Sequence, residues 1–490
     1  MKIPENDPIN VSNQLLQSIL DSIPHIQNFK GKLKTQNDID SITAKLDQSI
    51  RDAEVLIKSG VLHDGAVLIS SSKRESLRVE ARNLITRLQI GTTESKNSAM
   101  DSLLGLLQED DKNVLIAVAQ GVVPVLVRLL DSSSTDIKEK TVTAISRVST
   151  VDSSKHVLIA EGLVLLNNLI RVVESGSGFA KEKACVALQA LSNSKENARA
   201  IGSRGGISSL LEICQGGTPS SQAVAAGVLR NLAGFEEIKE NFMEENAISI
   251  LLTLSASGTA LAQENAIGCL CDLVSEDDNL KLLIAREGAI ESLENFWDSA
   301  PMVRSLEVAV ELLRILASCP PIADVLVSHG FINRAVSVLS CGVLGVRIAA
   351  ARAVYELGFN TRTLKDLGEC GCIPHLVRML DGKAVEEREA AAKALSALMG
   401  YAGNRRLFRK EEKGIVGTVQ LLDPLLQNLD KKYPVSILGS LVHSKKCRKE
   451  MVAAGANVYL QKLVEMDVEG AKKLAESLGR GKLWGVFAKP

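Results

Sequence analysis

Gly121-Val122-Val123-Pro124-Val125-Leu126 and Gly371-Cys372-Ile373-Pro374-His375-Leu376 are one phrase written twice: a glycine, two or three small or apolar residues, then a leucine-rich run. Further copies begin at Gly162, Gly205, Gly288, Gly330, Gly414 and Gly455, and Asn246 fills the one gap in the series. Asparagine, like glycine, tolerates the left-handed backbone that a sharp turn between helices requires. The nine positions step almost evenly along the chain, and no interval departs from the mean by more than a residue or so. That mean, about 42 residues, falls in the band of the armadillo and HEAT classes of helical repeat.

Each copy carries the grammar of three helices. An apolar segment such as Val114-Leu115-Ile116-Ala117-Val118-Ala119 precedes the glycine as a first helix. The leucine-rich run after the glycine makes a second. A polar loop, for example Asp131-Ser132-Ser133-Ser134-Thr135, then leads to a third helix rich in alanine and leucine. Ala225, Ala226, Leu229 and Leu232 show the pattern, and Ala390-Ala391-Ala392-Lys393-Ala394-Leu395 repeats it. Small residues at these places predict helices packed at close range, repeat on repeat. The spacing therefore predicts an all-α solenoid of about nine repeats over residues 111–490.

Residues 1–110 follow a different pattern. Helices are expected at residues 15–20 and over 38–56, where Ile39, Ile42, Leu46, Ile50, Ala53 and Leu56 recur at three- and four-residue steps. Two more are expected at 80–85 and 98–107. Together they predict a small helical bundle that caps the repeats, since a solenoid needs an atypical end to shield its first interface.

Composition narrows the chemistry. The 490 residues carry 57 basic and 58 acidic side chains, a net charge of −1, so no chain-wide field draws nucleic acid or anionic membrane. Aromatics at 3% argue against a stacking platform for single-stranded nucleic acid. No apolar stretch reaches the roughly 20 residues of a membrane span, and Lys2 occupies the place an acylated glycine would need. Nine scattered cysteines suit a reducing compartment, cytoplasmic or nuclear, better than a disulfide framework. The six histidines form no metal-ligand spacing, the Cys370/Cys372 pair is read as small packed cysteines, and no phosphate loop or nucleophile elbow is present. No enzyme activity, cofactor or metal is expected.

The phrase Ser203-Arg204-Gly205-Gly206-Ile207, followed by Ala226-Gly227-Val228-Leu229-Arg230-Asn231-Leu232-Ala233, resembles the armadillo repeat, and the resemblance covers residues 112–487. Within that superfamily the chain is similar to plant armadillo proteins, in particular to the repeat region and helical amino-terminal domain of plant U-box ubiquitin ligases. The U-box itself is missing: such modules open near a Cys-Pro-Ile-like segment, and the first cysteine here is Cys185, already among the repeats. The resemblance implies a right-handed superhelix whose concave groove, lined by the third helices, binds other proteins. The chain is thus expected to be a non-enzymatic scaffold or adaptor. The alternative is a substrate receptor or regulatory subunit of a ubiquitin ligase.

The third helices supply the candidate site. An import adaptor of importin-α type would show an asparagine ladder with tryptophan four residues before each rung. Here the rungs read Arg147, Ala190, Asn231, Asp272, Ile315, Glu356, Ala397 and Ser440, and Gly227 precedes the single asparagine. Solvent-facing positions of these helices nominate Arg147, Arg230, Asn231, Asp272, Arg314, Arg352 and Glu356 as groove residues. Their mixed signs suit a partner segment bearing both charges. A second candidate surface follows from charge asymmetry: residues 401–490 hold 17 basic and 9 acidic side chains, with Lys445, Lys446, Arg448 and Lys449 clustered.

Overall fold

The computed structural model describes residues 67–486, with side-chain surroundings over 74–479. The helices expected at 15–20 and 38–56 lie outside the described residues. Regular structure among the described residues is entirely helical. The chain divides into two compact units, one ending at Leu210 and one beginning at Leu211.

The turn residues behave as their chemistry requires. Eight of the nine expected positions have left-handed backbone, with φ between 53° and 97°. Gly121 at φ 82° separates the helices Asp111–Ala119 and Val122–Leu129, and Asn246 at φ 53° does the same work without being a glycine. Gly414 departs from the expectation. It sits inside the helix Gly414–Gln420 with no positive φ, and a Cβ there would meet the buried Phe408 ring at 3.0 Å. It is a glycine because a ring lies against it, and the turn is made without it.

In the first unit, Val67–Ile90 packs on Thr93–Glu109. Thr93–Glu109 then packs on the third helix α1 (Thr135–Ser149), and α1 packs on α2 (Gly178–Leu191). In the second unit the third helices are α3 (Pro219–Ala233), α4 (Ala260–Val274), α5 (Leu306–Ala317), α6 (Leu344–Leu357), α7 (Val385–Leu398) and α8 (Lys432–Leu441), each packed on the next. Alanine makes this possible: Ala225 and Ala226 on α3, Ala262 and Ala266 on α4, and Ala350, Ala351 and Ala353 on α6 are fully buried. Close-packed backbones leave no room for larger side chains on these faces.

Polar residues fix where the helices start and stop. Ser134, Ser177, Thr218 and Thr259 each accept a hydrogen bond from a backbone N–H in the first turn of α1, α2, α3 and α4, satisfying donors that the helix itself leaves open. At the other end, the amides of Asn113, Asn197 and Asn404 reach from a following first helix. They donate to Leu106 O at 3.1 Å, Leu191 O at 2.8 Å and Leu398 O at 3.1 Å. One asparagine device thus recurs at the handover from a repeat's last helix to the next repeat.

Candidate partner-binding site

Helices α3 to α7 border an open cleft of about 630 Å³ in the second unit. Its floor is small: Gly268 and Cys271 on α4, Val308 on α5, Gly345 and Ala349 on α6. Its walls are charged. Arg230, Arg304 and Arg352 stand against five carboxylates, Glu264, Asp272, Glu307, Glu311 and Glu386.

Two of the floor glycines are seats for long side chains arriving from the neighbouring helix. A Cβ on Gly268 would fall inside the Arg230 guanidinium, and one on Gly345 inside the Glu307 carboxylate. Arg230 precedes Gly268 by the same sequence interval that separates Glu307 from Gly345, so the same construction is used twice. It brings an arginine and a glutamate from the walls against the two floor glycines.

One charge of the cleft is paired and the others are not. Glu311 is engaged, accepting from Arg314 Nε at 2.9 Å and from its second nitrogen at 2.7 Å. Among the described residues, the other seven charged side chains of the cleft form no ion pair within 4.0 Å. Some charges outside the cleft are paired: Arg347 with Glu387 at 2.8 Å, and Arg334 with Glu294 and Asp298, both at 2.9 Å. Asp272 feels the cost of its position. Burial raises its carboxyl above the ordinary carboxylate value, Arg230 and Lys239 draw it back, and Glu311 adds to the rise. Desolvation disfavours the charged form, and a cation placed beside it reverses that effect.

The structure gathers some of the nominated residues and separates others. Arg230, Asp272 and Arg352 line the cleft, and Arg314 enters it through Glu311. Asn231 follows Arg230 on α3 and Glu356 lies one turn beyond Arg352 on α6; both are half-buried and outside the lining. Arg147 belongs to the first unit, where it clasps repeats together. Its Nε donates to Leu107 O at 3.0 Å, and its terminal nitrogens reach Thr150 Oγ1 at 3.0 Å and Asp111 Oδ1 at 2.5 Å. Sequence reasoning missed Glu264, Arg304, Glu307, Glu311 and Glu386. Glu311, Glu307 and Arg304 stand successively one, two and three helical turns ahead of the Ile315 rung. Stepping back by whole turns from each rung was the signal that would have found them, because helical side chains lean toward the amino-terminal end.

The basic candidate surface lies on the helix Lys445–Ala453. Arg448 is spent on structure, donating to Val442 O at 2.7 Å, while Lys445, Lys446 and Lys449 are less constrained and face outward. The cysteine pair diverges: Cys370 is exposed with its thiol donating to Asn333 Oδ1 at 3.1 Å, and Cys372 is buried, its pKa pushed up to about 12 by that burial. Among the described residues no three His, Cys, Asp or Glu side chains converge as a metal site. No single described helix is long and apolar enough to cross a membrane.

Comparison with known proteins agrees with this architecture. Residues 110–150 match the armadillo/β-catenin-like repeat, and residues 10–61 match a family described as a domain of unknown function, DUF7032. No curated protein sequence matches the chain. An engineered protein of known crystal structure superposes with a TM-score of 0.67 at 21% identity, covering 82% of this chain and 98% of its own. A chain from a structure of the cadherin–β-catenin interaction and its phosphorylation switch superposes with a TM-score of 0.68 at 16% identity, covering 100% of both. The fold is an all-α, armadillo-type solenoid.

Proposed function

We propose that the chain is a non-enzymatic adaptor that holds a segment of a partner protein against α3 to α6. The observation that carries this reading is the set of seven cleft charges left without internal ion pairs. Asp272, the one of the seven whose carboxyl pKa burial raises, bears a desolvation cost that a partner's cation beside it would offset on binding, and the exposed charges stand open to a partner's complementary ones. Such charges set specificity and association rate, while apolar contacts beside them carry affinity. β-catenin, named with cadherin in one of the structural likenesses, gives a precedent for a repeat array of this kind working by protein contact. All nine cysteines are free thiols, which supports work in the cytosol or nucleus.

The test is quantitative capture from native extract by the full chain, beside two variants. Arg230→Glu with Arg352→Glu is expected to weaken capture of the recovered partner by on the order of tenfold or more, equivalent to about 1.4 kcal/mol. Helical content should not change. Full capture by that variant, together with loss when Lys445, Lys446, Arg448 and Lys449 are reversed in sign, would place the working surface at the carboxy-terminal end and end the cleft reading.

A further inference from the structure

Along the second unit, two surface positions change character together. The fifth residue of the first helix is Met243, Leu282 and Asp324 in three successive repeats, then Lys365, Arg406 and Lys449 in the next three. The third residue of the second helix is Ser249, Glu291 and Asn333 in the earlier repeats, then Pro374, Val416 and Val458. All but the half-buried Leu282 are exposed. From Lys365 onward the surface thus gains a cation and an apolar residue in every repeat. The helices that carry them adjoin: Ala402–Phe408 packs on Thr361–Glu369 and Cys372–Met379, and Lys445–Ala453 packs on Gly414–Gln420 and Ala456–Glu465.

The cations of the last two repeats exceed what the fold uses. Residues 402–413 hold five basic and two acidic side chains, and residues 445–454 four basic and one acidic. Arg405 and Arg448, at matching places, are spent on structure, donating to Met399 O at 2.6 Å and Val442 O at 2.7 Å. Their neighbours Arg406 and Lys449 are exposed, as are Arg409, Lys410, Lys413 and Lys445, and among the described residues these six form no ion pair within 4.0 Å. Lys365 is shared with Glu369 at 3.7 Å and Lys446 with Glu450 at 3.8 Å, exposed pairs that hold a charge weakly. Apolar side chains stand among the cations. Val416, 45% exposed, lies three residues after Lys413, and Val452, 38% exposed, lies three after Lys449, the spacing of neighbours on a helix surface. None of these residues lines the cleft.

Cations interleaved with apolar side chains discriminate among polyanions. Nucleic acid supplies phosphates for the lysines and arginines, but single strands are gripped by stacking on aromatic rings, and Tyr401, Tyr433 and Tyr459 are half-buried. An anionic bilayer meets both kinds of residue: basic side chains reach its headgroups, and apolar ones enter the boundary between headgroup and acyl chain. A bilayer also meets cations on several helices at once, where a peptide follows one line. The rest of the chain carries more acidic than basic side chains and is repelled by the same surface, which favours approach by the basic face.

We propose that Arg406, Lys410 and Lys449, with Val416, Val452 and Val458, dock the last two repeats on an anionic phospholipid surface. This goes beyond the adaptor reading and does not depend on it. The test is co-sedimentation of the full chain with vesicles of phosphatidylcholine containing about one-quarter phosphatidylserine, beside vesicles of phosphatidylcholine alone. Binding is expected to be at least tenfold stronger to the anionic vesicles and to fall at least tenfold between about 0.1 M and about 0.5 M salt. Arg406→Glu with Lys410→Glu and Lys449→Glu should lose tenfold or more, and Val416→Ser with Val458→Ser threefold or more. Arg230→Glu with Arg352→Glu should bind vesicles as the unaltered chain does.

The substituted side chains are exposed outside the cleft, so circular dichroism should be unaltered; a charge variant with lost helicity is replaced by the same three positions changed to Gln. No binding to anionic vesicles, equal binding to neutral ones, or no effect of the charge variant overturns the proposal. So does a single-stranded RNA oligonucleotide or polyglutamate that binds more tightly than the vesicles and is indifferent to the valine changes, which would assign the face to that polyanion. Failure of vesicle binding, beside cleft variants that still release the partner, removes this inference and leaves the adaptor reading standing.

Discussion

At Gly268 a single missing methyl group decides what the cleft offers. The residue lies inside α4, where glycine costs about 0.8–1.0 kcal/mol relative to alanine, and the helix accepts that cost because the Arg230 guanidinium occupies the space a Cβ would take. The obstructed atoms belong to the far end of a flexible side chain, so the arginine can swing away while the backbone stays. Gly268→Ala is therefore expected to raise the urea midpoint or leave it unchanged, and at the same time to weaken partner capture several-fold. Stability and binding should move in opposite directions, as they do where a site is maintained against the preference of the fold. A loss of stability above about 1 kcal/mol, the size of the propensity gain it would have to overcome, would show that Arg230 is locked in place and that the glycine is structural. Of these residue-level features, sequence reading reaches the ones that act locally. Arg230, Asp272 and Arg352 were accessible from their helical register. The Gly268 seat was not, because its occupant arrives from the preceding repeat, and Arg147 looked like a groove residue because nothing in its neighbourhood announces the Leu107 carbonyl it caps.

The unit of construction is a pair of neighbouring third helices. α3 presents Ala225, Ala226, Leu229 and Leu232 to the interior, and Leu229 is fully buried. Truncating it to alanine removes three heavy atoms from a close-packed interface whose backbones cannot collapse further without disturbing the repeats on either side. Leu229→Ala is expected to cost about 2–5 kcal/mol in chemical denaturation, and a neutral outcome would mean that α3 is turned about its axis from the register described. Elements were legible in the sequence wherever one residue type had one physical job. Eight left-handed turns announced themselves through glycine and asparagine, since few other residues adopt that conformation. Gly414 shows the limit: the same letter in the same register answers to the Phe408 ring rather than to a backbone angle. The Ser and Thr caps of α1 to α4 act locally in the same way. The asparagines at 113, 197 and 404 were not legible, because their acceptors belong to the preceding helix.

In the molecule as a whole, stability is expected to be a sum over repeats and their interfaces, since packing in the second unit runs from each third helix to the next. In the helix Ala471–Val486, Ala471, Leu474 and Leu478 are buried, α8 lies beneath, and Lys472 and Lys473 face water as a polar cover. A chain ended at residue 359, in the short connection after α6, loses that polar cover along with the repeats beyond. Every remaining third helix of the second unit after α3 keeps its neighbour on the amino-terminal side. Circular dichroism should accordingly report helicity reduced in proportion to the residues removed, with the spectrum still that of folded helix. The cost should appear as association instead, because α6, with Ala350, Ala351 and Val354 among its buried residues, loses the cover of α7. Replacing those three by Lys, Glu and Gln should restore a monodisperse species in light scattering without further loss of helicity. Collapse of the shortened chain to a random-coil spectrum would show that the second unit folds as one indivisible body, and that the repeat period describes its sequence but not its energetics.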